Sequence, residues 1–517
     1  MRAYFMIIAA VASGPQALGA GSPGYVEDGV VQLYEQLGEN PGEQFGYVTE
    51  TLADFTGDGV PECLNSAPYR RLDGQLEVGV AFVHDGATGE ILATHTGGIP
   101  LGFFGWRLAR LGDVNADGTP DYAVGAAGDI YRTSNPTVPG RVFVYSGADH
   151  ALLHELVAAT YATTETDLGT DRFGQDIAPL DDINGDGHDD FLVTADLWDE
   201  DANNAGRAWV ISGADLTVLR THPGPAANDR YGSSANLLGD VTGDGIGEYF
   251  ICARNHMTTG MGWVYDGATG NTLFAFTGDS SGMANFGQYF ASTPGDCTGD
   301  GVPDIFVGDH EDRTFGGRTG AAYVFDVAHG LANPGAVLAP YWSVKGVRQR
   351  QWVGFGGGVG DVDHDGCADV ATDFLYLPDK PEHVWSGRVR VYSGRTGRVL
   401  RTITSTRGNA AGTTGEQFGY SISPLADANG DGEVDYVISA GFRDDEQGQL
   451  VGAYYGIAGR APCPGDYDGD HDTDTDDVDI YVHAFLGGSR IADLDANGVR
   501  NIDDIDAFVA SFLAGCT

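Results

Sequence analysis

The sequence predicts an all-β fold, a seven-bladed β-propeller, followed by a small α-helical module. Three observations carry this. A glycine-pinned acidic nonapeptide recurs seven times at spacings of 56 to 69 residues, an alternating valine–aromatic segment follows each copy, and the pattern changes after Pro462. Four-stranded units repeated radially leave only short, protected sheet edges, and seven such units close a ring.

The acidic nonapeptides have the form D-x-(D/N/T)-x-D-G-x-x-(D/E) and are bounded by glycine turns and short apolar runs. Position by position they supply Asp54, Thr56, Asp58 and Glu62; Asp113, Asn115, Asp117 and Asp121; Asp182, Asn184, Asp186 and Asp190; then Asp240, Thr242, Asp244 and Glu248. The last three supply Asp296, Thr298, Asp300 and Asp304; Asp361, Asp363, Asp365 and Asp369; and Asp427, Asn429, Asp431 and Asp435. An aromatic-glycine pair lies about nine residues upstream of six of them: Phe45-Gly46, Phe104-Gly105, Phe173-Gly174, Tyr231-Gly232, Phe286-Gly287 and Phe418-Gly419. The sixth copy, "VGFGGGVGD", is degenerate. Segments such as "GRVFVYSGADHALL" alternate valine with aromatics around a Ser/Asp-Gly turn and read as outer hairpins. The seventh copy has room for three strands before Pro462, so the segment 29–38, "GVVQLYEQLG", is expected to complete it as a fourth.

Oxygen-only donors at positions 1, 3, 5 and 9, with a carbonyl at 7 and glycine at 6 for the sharp turn, suit a hard cation, and calcium tolerates such irregular crowding better than magnesium. Two carboxylates ~4 Å apart repel by about 4 kcal/mol at an effective dielectric of ~20. A bound Ca2+ in each loop relieves this. Loops with threonine at position 3 (Thr56, Thr242, Thr298) are expected to bind more weakly, two of them also carrying glutamate at position 9.

The chain has 517 residues, 42% of them hydrophobic, enough for more than one domain. Its net charge of −46, from 74 acidic against 28 basic residues, excludes a nucleic-acid backbone as the main partner. Arg2, an apolar run over 5–12 and small residues at 17–20 read as a secretory signal over residues 1–20, too short to span a membrane. No later stretch reaches the ~18 apolar residues of a transmembrane segment. The expectation is a secreted protein, extracellular or at a cell surface, with the propeller over 21–460.

The repeated Phe-Gly, acidic loop and Gly-Ala-type strand resemble the FG-GAP repeats of the integrin α-subunit head, over roughly residues 29–459. That resemblance implies a propeller that binds calcium in its blade loops and recognises other macromolecules.

Residues 461–517 form a different unit. "DYDGDHDTDTDD" (466–477) and "DLDANGVRNIDD" (493–504) are twelve-residue loops with an acid at position 12, each preceding an apolar stripe at helical spacing. The stripes are Val478, Tyr481, Val482, Phe485, Leu486 and Ile505, Phe508, Val509, Phe512, Leu513. This duplicated loop-helix resembles a dockerin module, which implies calcium and a cohesin-like partner. By position Asp466, Asp468, Asp470 and Asp477 would bind one ion, with the Asp472 carbonyl, and Asp493, Asp495, Asn497 and Asp504 the other. His471 departs from the glycine expected in the first loop, and Thr475-Asp476 and Ile502-Asp503 depart from the pair that cohesin contact favours. Cys463 and Cys516 bracket the module as a disulfide candidate; Cys63, Cys252, Cys297 and Cys367 have no assigned pairing.

No catalytic constellation stands out. "HELVAA" at His154 lacks the second histidine of a zinc-protease helix, and "GFGGGVG" (354–360) leads into an acidic loop rather than a helix. The favoured function is adhesion or macromolecular ligand binding rather than catalysis. A carbohydrate-active enzyme (polysaccharide lyase or hydrolase), a lectin on the same propeller, and a structural envelope component stay open. A protein or polysaccharide ligand is expected on the face opposite the acidic loops. The long connections 128–140, 196–206, 309–320 and 373–387 emerge there with Tyr131, Trp198, Arg313, Phe315, Tyr376 and Trp385.

Overall fold

The computed structural model describes residues 30–128, 138–162, 171–279, 285–377, 385–405, 415–445, 449–470, 472–494 and 499–516. The signal-like segment, Tyr131, His471, Asp495 and Asn497 lie outside them.

Seven sheets form the blades of a propeller, each built on four antiparallel strands that follow chain order in blades one to six. Blades one to six span 49–95, 104–157, 177–223, 231–276, 291–345 and 356–404. Blade seven takes three strands from 422–457 and its fourth, Gln32–Leu37, from the other end of the chain, paired antiparallel with Ala453–Ile457. The first strands of successive blades touch one another around a closed ring. Second strands such as Tyr122–Ala126 and Phe191–Ala195 are buried along their whole length, which explains their near-continuous apolar composition. Blade four gains a fifth strand, Val337–Leu338, which pairs in parallel with Thr272–Phe276. The segment that supplies it follows the helix Val327–Ala332, capped by Asp326, and accounts for the irregular hairpin of the fifth repeat.

The Phe-Gly pairs are joints between blades. The glycine that opens each third strand lies against the backbone of the next blade's aromatic: a Cβ on Gly79 would sit 2.1 Å from the Phe104 carbonyl oxygen. The same contact joins Gly452 to Phe45, closing the ring, and Gly320 to Val353. Val353-Gly354 therefore takes the Phe-Gly place in blade six, and Phe355-Gly356 is one turn of the pattern too late.

After Pro462 the chain forms helices Thr475–Gly487 and Ile502–Ala514, each opened by a capping box in which Asp477 or Asp504 returns to the N-cap backbone. Tyr481 and Phe508 stack at 4.0 Å across the helix pair, and Cys463 is bonded to Cys516. Only part of each apolar stripe is used. Leu486 and Leu513 are 80% and 77% exposed, because two helices bury one side of each other and none of the described residues covers the second side. The unit rests on blade six, where the Thr402 amide donates to the Gly469 carbonyl at 2.8 Å and the Thr402 hydroxyl to that of Asp468 at 2.7 Å.

One core position departs from the repeat with a thermodynamic consequence. Second strands end on alanine in five blades (Ala67, Ala126, Ala195, Ala253, Ala440) but on Asp309 in blade five. Asp309 is buried; its Oδ1 accepts the Asn285 amide at 2.9 Å, while Oδ2 has no hydrogen-bond partner among the described residues. Burial, reinforced by the Asp312 charge, pushes its carboxyl up to about 7. The unfolded value is about 3.9, so the folded state holds this proton more tightly. The resulting stabilisation is complete below pH ~4 and is lost as pH rises through about 7, a span worth about 4 kcal/mol. Asp309→Asn is expected to unfold like the parent below pH 4 and to be more stable by about 1–4 kcal/mol at pH 8, read from denaturant titrations. A difference that does not change with pH would contradict this.

Candidate metal centres

The seven acidic loops all join the first strand of a blade to its second, so one face of the ring carries them all. Their local geometry repeats. The position-1 carboxylate turns inward and accepts amides from the glycine-rich tip: Asp113 from Asp117 and Gly118, Asp182 from Gly185, Asp186 and Gly187, Asp427 from Gly430, Asp431 and Gly432. The Asp54, Asp240, Asp296 and Asp361 carboxylates do the same. The position-5 carboxylate accepts the amide of position 7, as Asp186 does from His188 at 3.0 Å and Asp365 from Cys367 at 2.8 Å. The same bond is made by Asp58, Asp117, Asp244, Asp300 and Asp431.

Position 9 is different, because it is buried in every loop: Glu62, Asp121, Asp190, Glu248, Asp304, Asp369 and Asp435. One oxygen accepts amides from positions 2 and 3 of its own loop, as Asp435 Oδ2 does from Ala428 and Asn429. In five blades the other oxygen accepts an amide from the segment just after the third strand: Gly147, Gly213, Val327, Gly394 or Gly459. The four glycines lie on the position-8 carbonyl, where a Cβ on Gly147 would come within 2.0 Å of the Pro120 oxygen. Position 9 thus ties loop to that segment as well as facing the cage.

The electrostatics divide accordingly. Donors from the Asn115 and Asn184 amides hold the exposed Asp117 and Asp186 below the usual carboxylate range, and the Gly59 amide does so for Asp54. Burial pushes Asp121 and Asp190 up to about 6 and Asp304 to about 7. A cation in the cage would favour the charged form of every one of them.

The fit of the cages to a cation is clearest in three loops. Carboxylate oxygens of Asp361, Asp363 and Asp365 lie within 4.8 Å of one another. So do those of Asp244, Glu248 and Asp266, and those of Asp466, Asp468 and Asp477. Asp266 was not among the sequence candidates. It comes from the hairpin turn "YDGATG", so the Asp240 loop, ranked weak on its own residues, gains a carboxylate from a neighbouring turn. The signal was present in the aspartate that opens this turn. Asp472 and Asp474 also gather with Asp477 through their carboxylates, whereas the sequence assigned Asp472 its carbonyl alone. In the second C-terminal loop, Asp504 accepts the Leu494 amide at 2.7 Å and the Asn501 amide at 2.8 Å, as Asp477 accepts those of Tyr467 and Asp474. Asp470 accepts the Asp472 amide at 3.1 Å; Asp493 begins the second loop.

On the opposite face the aromatic expectations need correction. Trp198 is fully buried, edge-on to Trp209 at 4.8 Å with the Arg207 guanidinium over it, so it is core rather than surface. Trp385 is half-buried between Tyr376 and Trp352. Phe315 is 60% exposed, and Arg313 lies 3.6 Å from Glu311. What sequence reasoning missed is a closed aromatic circuit at the axis, at the ends of the first strands away from the loops. It runs Tyr47–Trp106–Tyr289–Phe290–Phe355–Tyr420 and back to Tyr47, with ring centroids 4.6 to 6.3 Å apart. An aromatic directly after Phe-Gly in blades one, two and seven was the available signal.

The FG-GAP repeat family matches residues 173–211. Integrin alpha-PS5 of Drosophila melanogaster is 30% identical over 196 residues, 36% of this chain and 18% of that protein. Integrin alpha-V of Gallus gallus is 31% identical over 232 residues, 43% of this chain and 21% of that one. The chain thus spans less than a quarter of the length of these relatives. Among solved structures the Dos1 propeller aligns at a TM-score of 0.43 and 11% identity, covering 77% of this chain and 76% of that one. Among the described residues no helix is long and apolar enough to cross a membrane.

The two roles of the loop acids separate by mutation in the presence of a chelator. Asp190→Ala orphans the buried amide of Gly213, at about 1–3 kcal/mol, and the part-buried amide of Ile183. Asp186→Ala removes an exposed carboxylate and is expected to cost under about 1 kcal/mol. Equal losses in chelator, measured by denaturant unfolding, would contradict the structural role of position 9.

Proposed function

We propose that this integrin-α-like FG-GAP propeller is a secreted, calcium-binding protein that holds a protein or polysaccharide ligand on the face away from its acidic loops, with a dockerin-like module at its C-terminus. The observation that carries the reading is the sevenfold loop geometry: oxygen donors only, drawn together around a glycine turn, with Asp361, Asp363 and Asp365 close enough for one ion. In the family these repeats resemble, such propellers recognise macromolecules. The aromatic circuit around the axis supports the face, since large rings with polar edges are favoured at binding hot spots. Tyr47, Tyr289 and Tyr420 in it are half-buried and keep contact with solvent. The ions in this reading neutralise and rigidify; they take no part in chemistry. In the C-terminal unit the exposed Val482, Leu486, Val509 and Leu513 support a cohesin-like partner for the module.

The reading is tested by metal removal. A ligand bound only by the folded state stabilises it by about 2.7 kcal/mol per site at a hundredfold excess over Kd. The melting temperature is expected to fall markedly in excess chelator and to return when calcium, but not magnesium at the same concentration, is restored. An unchanged melt in chelator would overturn the calcium assignment.

A further inference from the structure

Blade six breaks the repeat in its core. In the other six blades the middle residue of the third strand is aromatic: Phe82, Phe143, Trp209, Trp263, Tyr323 and Tyr455. Each packs against its own blade's Phe-Gly aromatic at 5.1 to 5.9 Å. In blade six these two places hold Arg390 and Val353. Two rings are replaced by a guanidinium and a short aliphatic side chain. A cavity of about 280 Å³ opens there, lined by the outer strand of blade five and the second and third strands of blade six.

The lining is unlike the rest of the molecule. Val344 and Phe374 supply apolar surface, and Lys345, Arg348, Arg388 and Arg390 supply positive charge. Four of the chain's 28 basic residues thus meet in one cavity of a protein whose net charge is −46. The Arg390 guanidinium lies 5.3 Å from the centre of the Phe374 ring and beside the Tyr392 hydroxyl, and its buried Nε has no hydrogen-bond partner among the described residues. Neither Arg348 nor Arg390 has a carboxylate of the described residues within ion-pairing distance, whereas Lys345 is held by Asp279 at 2.6 Å. A buried guanidinium nitrogen without a partner is costly, and a planar carboxylate is the group its fork fits best. An inorganic anion would leave the Val344 and Phe374 surface uncovered.

The geometry points to a binding site between blades five and six for a ring-bearing carboxylate of monosaccharide size, its carboxylate on Arg390 and Arg348 and its ring against Phe374 and Val344. This goes beyond the ligand-binding reading above and does not depend on it, since none of the lining residues belongs to an acidic loop. A free hexuronate and a uronate unit within an acidic polysaccharide present the same chemistry.

Isothermal titration of the full chain with D-glucuronate, glucose, acetate and an oligoglucuronate tests the site. Glucuronate is expected to bind at least tenfold more tightly than glucose, which lacks the charge, or acetate, which lacks the ring. Arg390→Met, which keeps the aliphatic bulk, is expected to weaken glucuronate binding at least tenfold, and Arg348→Ala three- to tenfold. Arg348 is exposed, so its variant keeps the test decisive if Arg390→Met fails to fold. An oligoglucuronate bound tenfold more tightly than the monosaccharide identifies a polymer as the source, and equal affinity identifies the free acid. Absence of glucuronate binding, or wild-type affinity in the Arg348 variant, would overturn the proposal. Because the calcium reading is read from melting in chelator, either result leaves the other intact.

Discussion

One interaction recurs wherever the acidic loops meet the sheets: a buried carboxylate that takes backbone amides from its own loop and, in five blades, from the segment after the third strand. Asp121, Asp190, Asp304, Asp369 and Asp435 each bridge the first-to-second connection and the segment that leaves the third strand. The four glycines of that segment let this happen, since they lie on the carbonyl before the acid. Asp477 and Asp504 repeat the device in the C-terminal unit, where the same carboxylate binds loop amides and caps a helix. Buried and charged, such a group is stable only with several donors around it, and a cation alongside strengthens it further.

Much of this was legible in the sequence, for a physical reason. Strand pairing has a period of two and the acidic loop a fixed length, so seven in-phase copies specify blade number, strand order and the face that carries the acids. The closing strand Gln32–Leu37 was visible because the seventh copy lacked a partner for Ala453–Ile457. What escaped were properties of juxtaposition. Asp266 joins Glu248 only because the hairpin turn folds onto the loop, and Trp198, on a connection that looked exposed, is drawn under Arg207 and against Trp209. Spacing within a chain could not show either.

Blade six shows how a repeat hosts a departure. Val353 keeps the Phe-Gly backbone contact with Gly320 while giving up the ring, and an aromatic reappears at Phe374, where five other blades have alanine. The joint survives because it is made by backbone and glycine; the space belongs to side chains and is free to change. The same blade also carries the C-terminal unit on its outer edge, through Thr402 and through Arg398 over Tyr467. Two departures from the propeller pattern therefore converge on one blade.

The central claim is that in five blades the position-9 carboxylate fastens the acidic loop to the segment after the third strand. Hydrogen–deuterium exchange across the turns at Gly147, Gly213, Gly394 and Gly459 tests it most directly, because these exposed-looking turns owe their amide bonds to Asp121, Asp190, Asp369 and Asp435 alone. The account predicts that these glycine amides exchange as slowly as the flanking strands in calcium, and faster in chelator as the loop acids repel. Exchange at the rate of an open turn in calcium would contradict it.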